Sequence, residues 1–175
     1  MALIRSVKGI LPKTGKNCFL ADNATLTGDV IMGDGCSVWF NAVIRGDVHS
    51  IRIGNNVNIQ DGAIVHCTYQ KAPVTIGNNV SIAHNAIIHG CTIHDNVLIG
   101  MGAIIMDGAV IHSNSIVGAG ALVTEGTIVE SGTVWAGLPA RKVKDIDQAL
   151  LEGQVNRISR NYQMYASWYD QEQTG

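Results

Sequence analysis

Charge and aromatic side chains are scarce in this 175-residue chain. Asp, Glu, Lys and Arg together make up 15 %, against roughly 25 % in an average soluble protein. Phe, Trp and Tyr make up only 5 %. Neither sign of charge dominates: 12 Lys and Arg face 14 Asp and Glu, a net of −2. The lack of a basic excess argues against a nucleic-acid partner. No apolar run approaches the roughly 18 residues of a membrane span, so no membrane partner is expected. Met1-Ala2-Leu3-Ile4-Arg5 lacks the apolar core and cleavage site of a secretory signal. The four cysteines, at 18, 36, 67 and 91, form no CxxC pair and no evident disulfide framework, which is the usage of a reduced, cytoplasmic protein.

What is present is glycine, 20 residues of it, together with Ile and Val in an apolar fraction of 46 %. That fraction is too high for disorder. The mixture suits short β segments joined by tight turns. Aliphatic residues recur every six positions: Leu20, Leu26, Met32, Val38, Ile44; Ile53, Ile59, Val65; Ile76, Ile82, Ile88; then Ile93 through Ile99, Ile105, Ile111, Val117, Val123 and Val129 to Trp135. Four residues after most of them stands a small or β-branched residue, such as Ala24, Cys36, Ala42, Val57, Ala63, Val80, Ala86 and Ala103. A period of six is neither helical nor simple alternation. It is the hexapeptide signature of a parallel β-helix, with the aliphatic residue inside each face of a triangular prism and the small residue at the corner. A β-sandwich of unrelated strands would not hold one period from Leu20 to Trp135. The expected fold is therefore all-β, a single-stranded parallel β-helix over residues 1–140 that includes an N-terminal lead strand.

The phase breaks around Gly46-Asp47-Val48-His49, at the loop Cys67–Pro73, and between Ile88 and Ile93, where one residue is missing. Loops that interrupt a solenoid tend to mark its working face. After the turn Gly137-Leu138-Pro139-Ala140, residues Ile146, Leu150, Leu151, Val155, Ile158, Tyr162, Tyr165 and Tyr169 fall three or four apart, predicting a helix from about Asp145 to Gln171 with Asp145 or Asp147 at its start. Residues 141–175 are thus read as a C-terminal helix packed on the prism.

Counting faces along the repeat stacks Ile44, Val65 and Ile88 on successive coils. The residue after each points outward, which aligns Arg45, His66 and His89. Imidazoles on adjacent coils sit with Cα atoms ~5 Å apart, close enough to share a metal. His84 falls at a different corner, out of reach of the other two in its own chain. A threefold axis parallel to the prism would bring it to a neighbour's ladder, so the expected site lies at a homotrimer interface with His66 and His89 from one copy and His84 from the next. Three imidazoles leave one zinc position open, the pattern of a catalytic site; Fe²⁺ and Co²⁺ also suit imidazole. His49, His94 and His112 are read as ordinary surface residues. Gln60, read as outward-facing, is within reach of a metal-bound water or substrate. Arg45 and Asp47 are read as an ion pair.

Ile44-Arg45-Gly46-Asp47, Asn58-Ile59-Gln60-Asp61-Gly62, His66, His84 through Cys91, Gly100-Met101-Gly102 and Gly137-Leu138-Pro139-Ala140 together resemble the gamma-class carbonic anhydrase family. The resemblance runs from about residue 10 to the C-terminal helix. It implies a left-handed β-helix, a homotrimer, and Zn²⁺ held by His66, His84 and His89 for the reversible hydration of CO₂ to bicarbonate. It further implies a catalytic, orienting role for Gln60, an interface pair Arg45–Asp47 with Asp61 as its motif neighbour, and Tyr162 as the helix tyrosine brought to the site. The loop Cys67–Pro73 carries no carboxylate, unlike the family's acidic proton-shuttle loop. That departure opens a second expectation, a metal-binding relative with little CO₂ hydration activity. The solenoid is also shared by acyl-CoA-dependent transferases, in which one His acts as general base, and would serve a non-catalytic scaffold.

Overall fold

The computed structural model describes residues 1–172. The last three residues of the expected C-terminal segment, 173–175, lie outside the described residues. The chain winds into a parallel β-solenoid of about seven turns. Its three faces each stack one aliphatic column. On the first, Leu26, Ile44, Val65, Ile88, Ile105 and Val123 are in register. The second aligns Met32, Ile53, Ile76, Ile93, Ile111 and Val129. Leu20, Val38, Ile59, Ile82, Ile99, Val117 and Trp135 form the third. The six-residue period thus places one aliphatic side chain per face per turn inside the prism. Most of these are wholly buried, each stabilising by about 1.5–3 kcal/mol. The eleven-residue strand Val43–Ile53 crosses the corner between the first two faces and absorbs the three extra residues around Asp47.

The corners need backbone that most residues avoid. Asn56, Asn79, Asn96 and Asn114 hold φ of 54–60°, which Asn tolerates better than branched residues. Their side-chain amides then bond from coil to coil at 3.2, 3.1 and 3.3 Å. At the corner before the first face Gly62 takes φ +69°, and a Cβ there would collide with the Asn85 side chain.

The solenoid runs past the boundary expected from the sequence. The turn at Gly137-Leu138-Pro139 reverses the chain, and Ala140–Asp145 pairs antiparallel with Thr133–Gly137. Residues 141–145 are therefore strand, because they complete the edge left by the last coil. The helix follows: Asp147 caps it by accepting from the Leu150 amide at 2.7 Å, and it continues through a π-helical turn, Leu151–Asn156, into an α-helix over Arg157–Glu172. It docks along the outside of the third face, where Trp39 meets Tyr162 and Phe19 meets Tyr169, each pair with ring centroids 5.2 Å apart. The outward residues there are Trp39, Gln60, Ala83, Gly100 and Gly118, whose amides bond successively to the next coil. The small ones at the far end leave room beneath the helix.

Candidate functional site

The register puts Arg45 beside His66 and His66 beside His89 on the first face. Each follows a buried aliphatic residue and so faces outward. The chain crossing the corner after Ile44 carries Asp47 back to this ladder. Asp47 accepts from Arg45 at 2.6 Å through Oδ2 and lies 3.1 Å from His66 Nε2 through Oδ1. His89 Nδ1 lies 2.6 Å from Oδ1 of Asp107, whose other oxygen accepts from the Thr68 hydroxyl. With each ring donating N–H to its carboxylate, His66 Nδ1 and His89 Nε2 are left as lone pairs, and they face each other across 3.1 Å.

Two lone pairs at that distance repel unless something positive lies between them. Burial foremost, with the Arg45 charge, outweighs Asp47 and pushes the His66 imidazole below its ordinary value. Two nitrogens bound to one tetrahedral zinc, each at 2.0–2.1 Å, stand ~3.3 Å apart. The donor set fits such an ion, and its carboxylate partners follow the arrangement by which proteins fix a ligating imidazole's tautomer. Burial raises the carboxyls of Asp47 and Asp107, but their hydrogen bonds outweigh it and both lie below the ordinary value. Both are therefore ionised near neutral pH.

His84 sits at the corner between the third and first faces. Its Nδ1 is 2.9 Å from Asp61 Oδ2, and its Nε2 faces the Tyr162 hydroxyl at 3.3 Å. Burial, followed by the Asp61 charge, pushes the Tyr162 phenol up to about 12, so it remains a donor. Among the described residues, no three metal-capable side chains converge within one chain. The structure brings His66 and His89 together and leaves His84 apart from them.

Gln60 faces outward, as its place in the repeat predicts, and is covered there. It is 3 % exposed and donates to Asn58 Oδ1 at 2.9 Å. The C-terminal helix lies along its column and buries it. It lines an apolar groove of about 380 Å³ with Ala83, His84, Met101, Ile158 and Tyr162. Asp107 and Thr68 were not picked out by the sequence reading. Ile105 stacks on Ile88, so Met106 takes the rank of His89 and Asp107 follows one residue on. Extending the column walk by one coil reaches this neighbourhood at Met106, and only the reach of the Asp107 side chain puts its carboxylate on His89.

Comparison with known proteins adds four likenesses. The family profile "Bacterial transferase hexapeptide (six repeats)" matches residues 12–46 and 90–125. A carbonic anhydrase of Geobacillus kaustophilus is 41 % identical over 95 % of this chain and 91 % of its own. The mitochondrial gamma carbonic anhydrase 3 of Arabidopsis thaliana is 44 % identical over 89 % of this chain and 64 % of its own. Among solved structures, a hexapeptide transferase family protein from Anaplasma phagocytophilum superposes with a TM-score of 0.91 at 36 % identity, covering 95 % of this chain and 98 % of its own.

Proposed function

The chain belongs to the gamma-class carbonic anhydrase family, and from that premise we propose that it catalyses the reversible hydration of CO₂ to bicarbonate, with a metal held between two copies of a cytoplasmic homotrimer. One observation carries the reading: His66, His84 and His89 each lie against a carboxylate through one ring nitrogen and turn the other away from it, toward the neighbouring imidazole for His66 and His89 and toward the Tyr162 hydroxyl for His84. His66 and His89 of one copy with His84 of a neighbour would hold Zn²⁺, and Fe²⁺ or Co²⁺ suits the same set. The metal supplies Lewis-acid activation of water near neutral pH.

The chain's own residues do the rest. Asp47, Asp107 and Asp61 fix the three tautomers and ring orientations. The Gln60 amide, anchored on Asn58, offers its carbonyl oxygen to orient a reacting hydroxyl group. The Tyr162 hydroxyl borders the same groove. The loop Cys67–Pro73 has no carboxylate, so the proton released in each turnover leaves to water or buffer. Stopped-flow measurement of CO₂ hydration, with Zn²⁺ and anaerobically with Fe²⁺, tests the proposal. A metal-dependent rate above that of His89→Ala is expected; equal rates overturn it.

The apolar groove beside His84 favours one second reading, an acyl-CoA-dependent transferase with that imidazole as general base. Thermal stabilisation by acetyl-CoA, with none by metal, would select it.

A further inference from the structure

Seven of the nine aromatic residues in the chain, three Trp, four Tyr and two Phe in all, gather where the C-terminal helix meets the start of the third face, Phe19 packing on Trp39 and Tyr169. Trp39, Phe40, Tyr162, Tyr165, Trp168 and Tyr169 line a cavity of about 280 Å³. Consecutive rings touch: Trp168–Tyr165 at 5.0 Å, Tyr165–Tyr162 at 5.4 Å, Tyr162–Trp39 at 5.2 Å, Trp39–Tyr169 at 5.7 Å and Tyr169–Phe40 at 5.8 Å. Among the described residues no ring contact joins Trp168 to Phe40 or to Tyr169. The rings form an arc around a space.

Docking of the helix accounts for Tyr162 and Tyr169, which meet Trp39. It does not account for Tyr165 and Trp168, whose ring contacts stay within the helix. Trp168 is 52 % exposed and stands at the cavity's edge. One charged side chain shares the lining, the carboxylate of Asp61. Ring faces carry negative potential and so does the acid, so the cavity repels anions and offers a neutral aliphatic ligand no partner for its charge. Compact, strongly hydrated cations gain little from such walls. A methylated ammonium group is weakly hydrated, fills apolar volume with its methyl groups and keeps its charge.

We propose that this cavity binds a quaternary or methylated ammonium group, caged by the aromatic arc and balanced by Asp61. The site uses none of the proposed metal ligands, although Asp61 and Tyr162 in its lining also contact His84. Calorimetric titration of the native assembly with choline and with its uncharged carbon analogue, 3,3-dimethylbutanol, tests it. Choline is expected to bind saturably and the analogue at least about tenfold more weakly. Trp168→Leu should weaken choline binding about fivefold, while Trp168→Phe, which keeps a ring, should restore most of it. Circular dichroism checks that both variants fold. Absence of saturable choline binding, equal affinity for the two compounds, or indifference to Trp168→Leu would overturn the assignment.

Discussion

Removing the carboxylate of Asp107 isolates what orientation contributes to the proposed metal centre. Asp107 holds His89 Nδ1 at 2.6 Å, and Asp107→Ala frees that ring to rotate and to place its proton on the nitrogen that should ligate. Loss of such a supporting group typically lowers metal affinity 10–100-fold, or about 1.4–2.7 kcal/mol. The variant also frees the Thr68 hydroxyl, which bonds the other carboxylate oxygen, so a loosened loop is a rival cause. Thr68→Val separates the two: it removes the loop's anchor and leaves Asp107 against His89. Competitive zinc titration against a chromophoric chelator reads the affinity, with thermal unfolding as the check on folding. The reasoning holds if Asp107→Ala loses at least about tenfold and Thr68→Val stays near wild type. It fails if Asp107→Ala binds zinc as tightly as the wild type, or if both variants lose equally.

Three other outcomes are expected. A site shared between copies should be rebuilt by mixing two defective chains: co-assembly of His84→Ala with His89→Ala restores about one site in four by random pairing in a closed trimer, read as bound zinc per chain, and no recovery would mean that all ligands come from one chain. Ile99 is wholly buried between Ile82 and Val117, so Ile99→Ala should cost about 2–5 kcal/mol in urea unfolding; a loss below about 1 kcal/mol would contradict a close-packed column. The Tyr162 phenol, pushed up to about 12, should ionise late in an ultraviolet titration, and Tyr162→Phe should remove that late step. The unfolded chain gives up its phenolic proton near pH 10, so this group's contribution to stability is intact below that and declines between about pH 10 and 12.

The stacking of Ile44, Val65 and Ile88 was legible in the sequence because the hexapeptide period fixes register, and with it the neighbourhood of Arg45, His66 and His89. The same count put His84 at another corner. Contacts that depend on side chains reaching across the count were not legible. Asp107 lies one residue off the ladder's rank and reaches His89 from the next coil. Asp61 points toward His84, a pairing that no spacing encodes. Gln60 has the outward parity expected of it and is still buried, because the position of a separate helix decides its exposure. Residues 140–145 carry no hexapeptide signal, since a reversed strand on the edge packs no column of the prism.

That reversed strand has a consequence for the chain's life in a crowded solution. A stack of identical coils has no natural stopping point, and a bare final rung invites another molecule to add its own. Running backwards, Ala140–Asp145 breaks the pattern a newcomer would need to copy on that side. It also turns a fringe of exposed charge, Arg141, Lys142, Lys144 and Asp145, toward anything approaching end to end. The molecule's finite length is thereby written into six residues, of which only Ala140 reaches its buried interior.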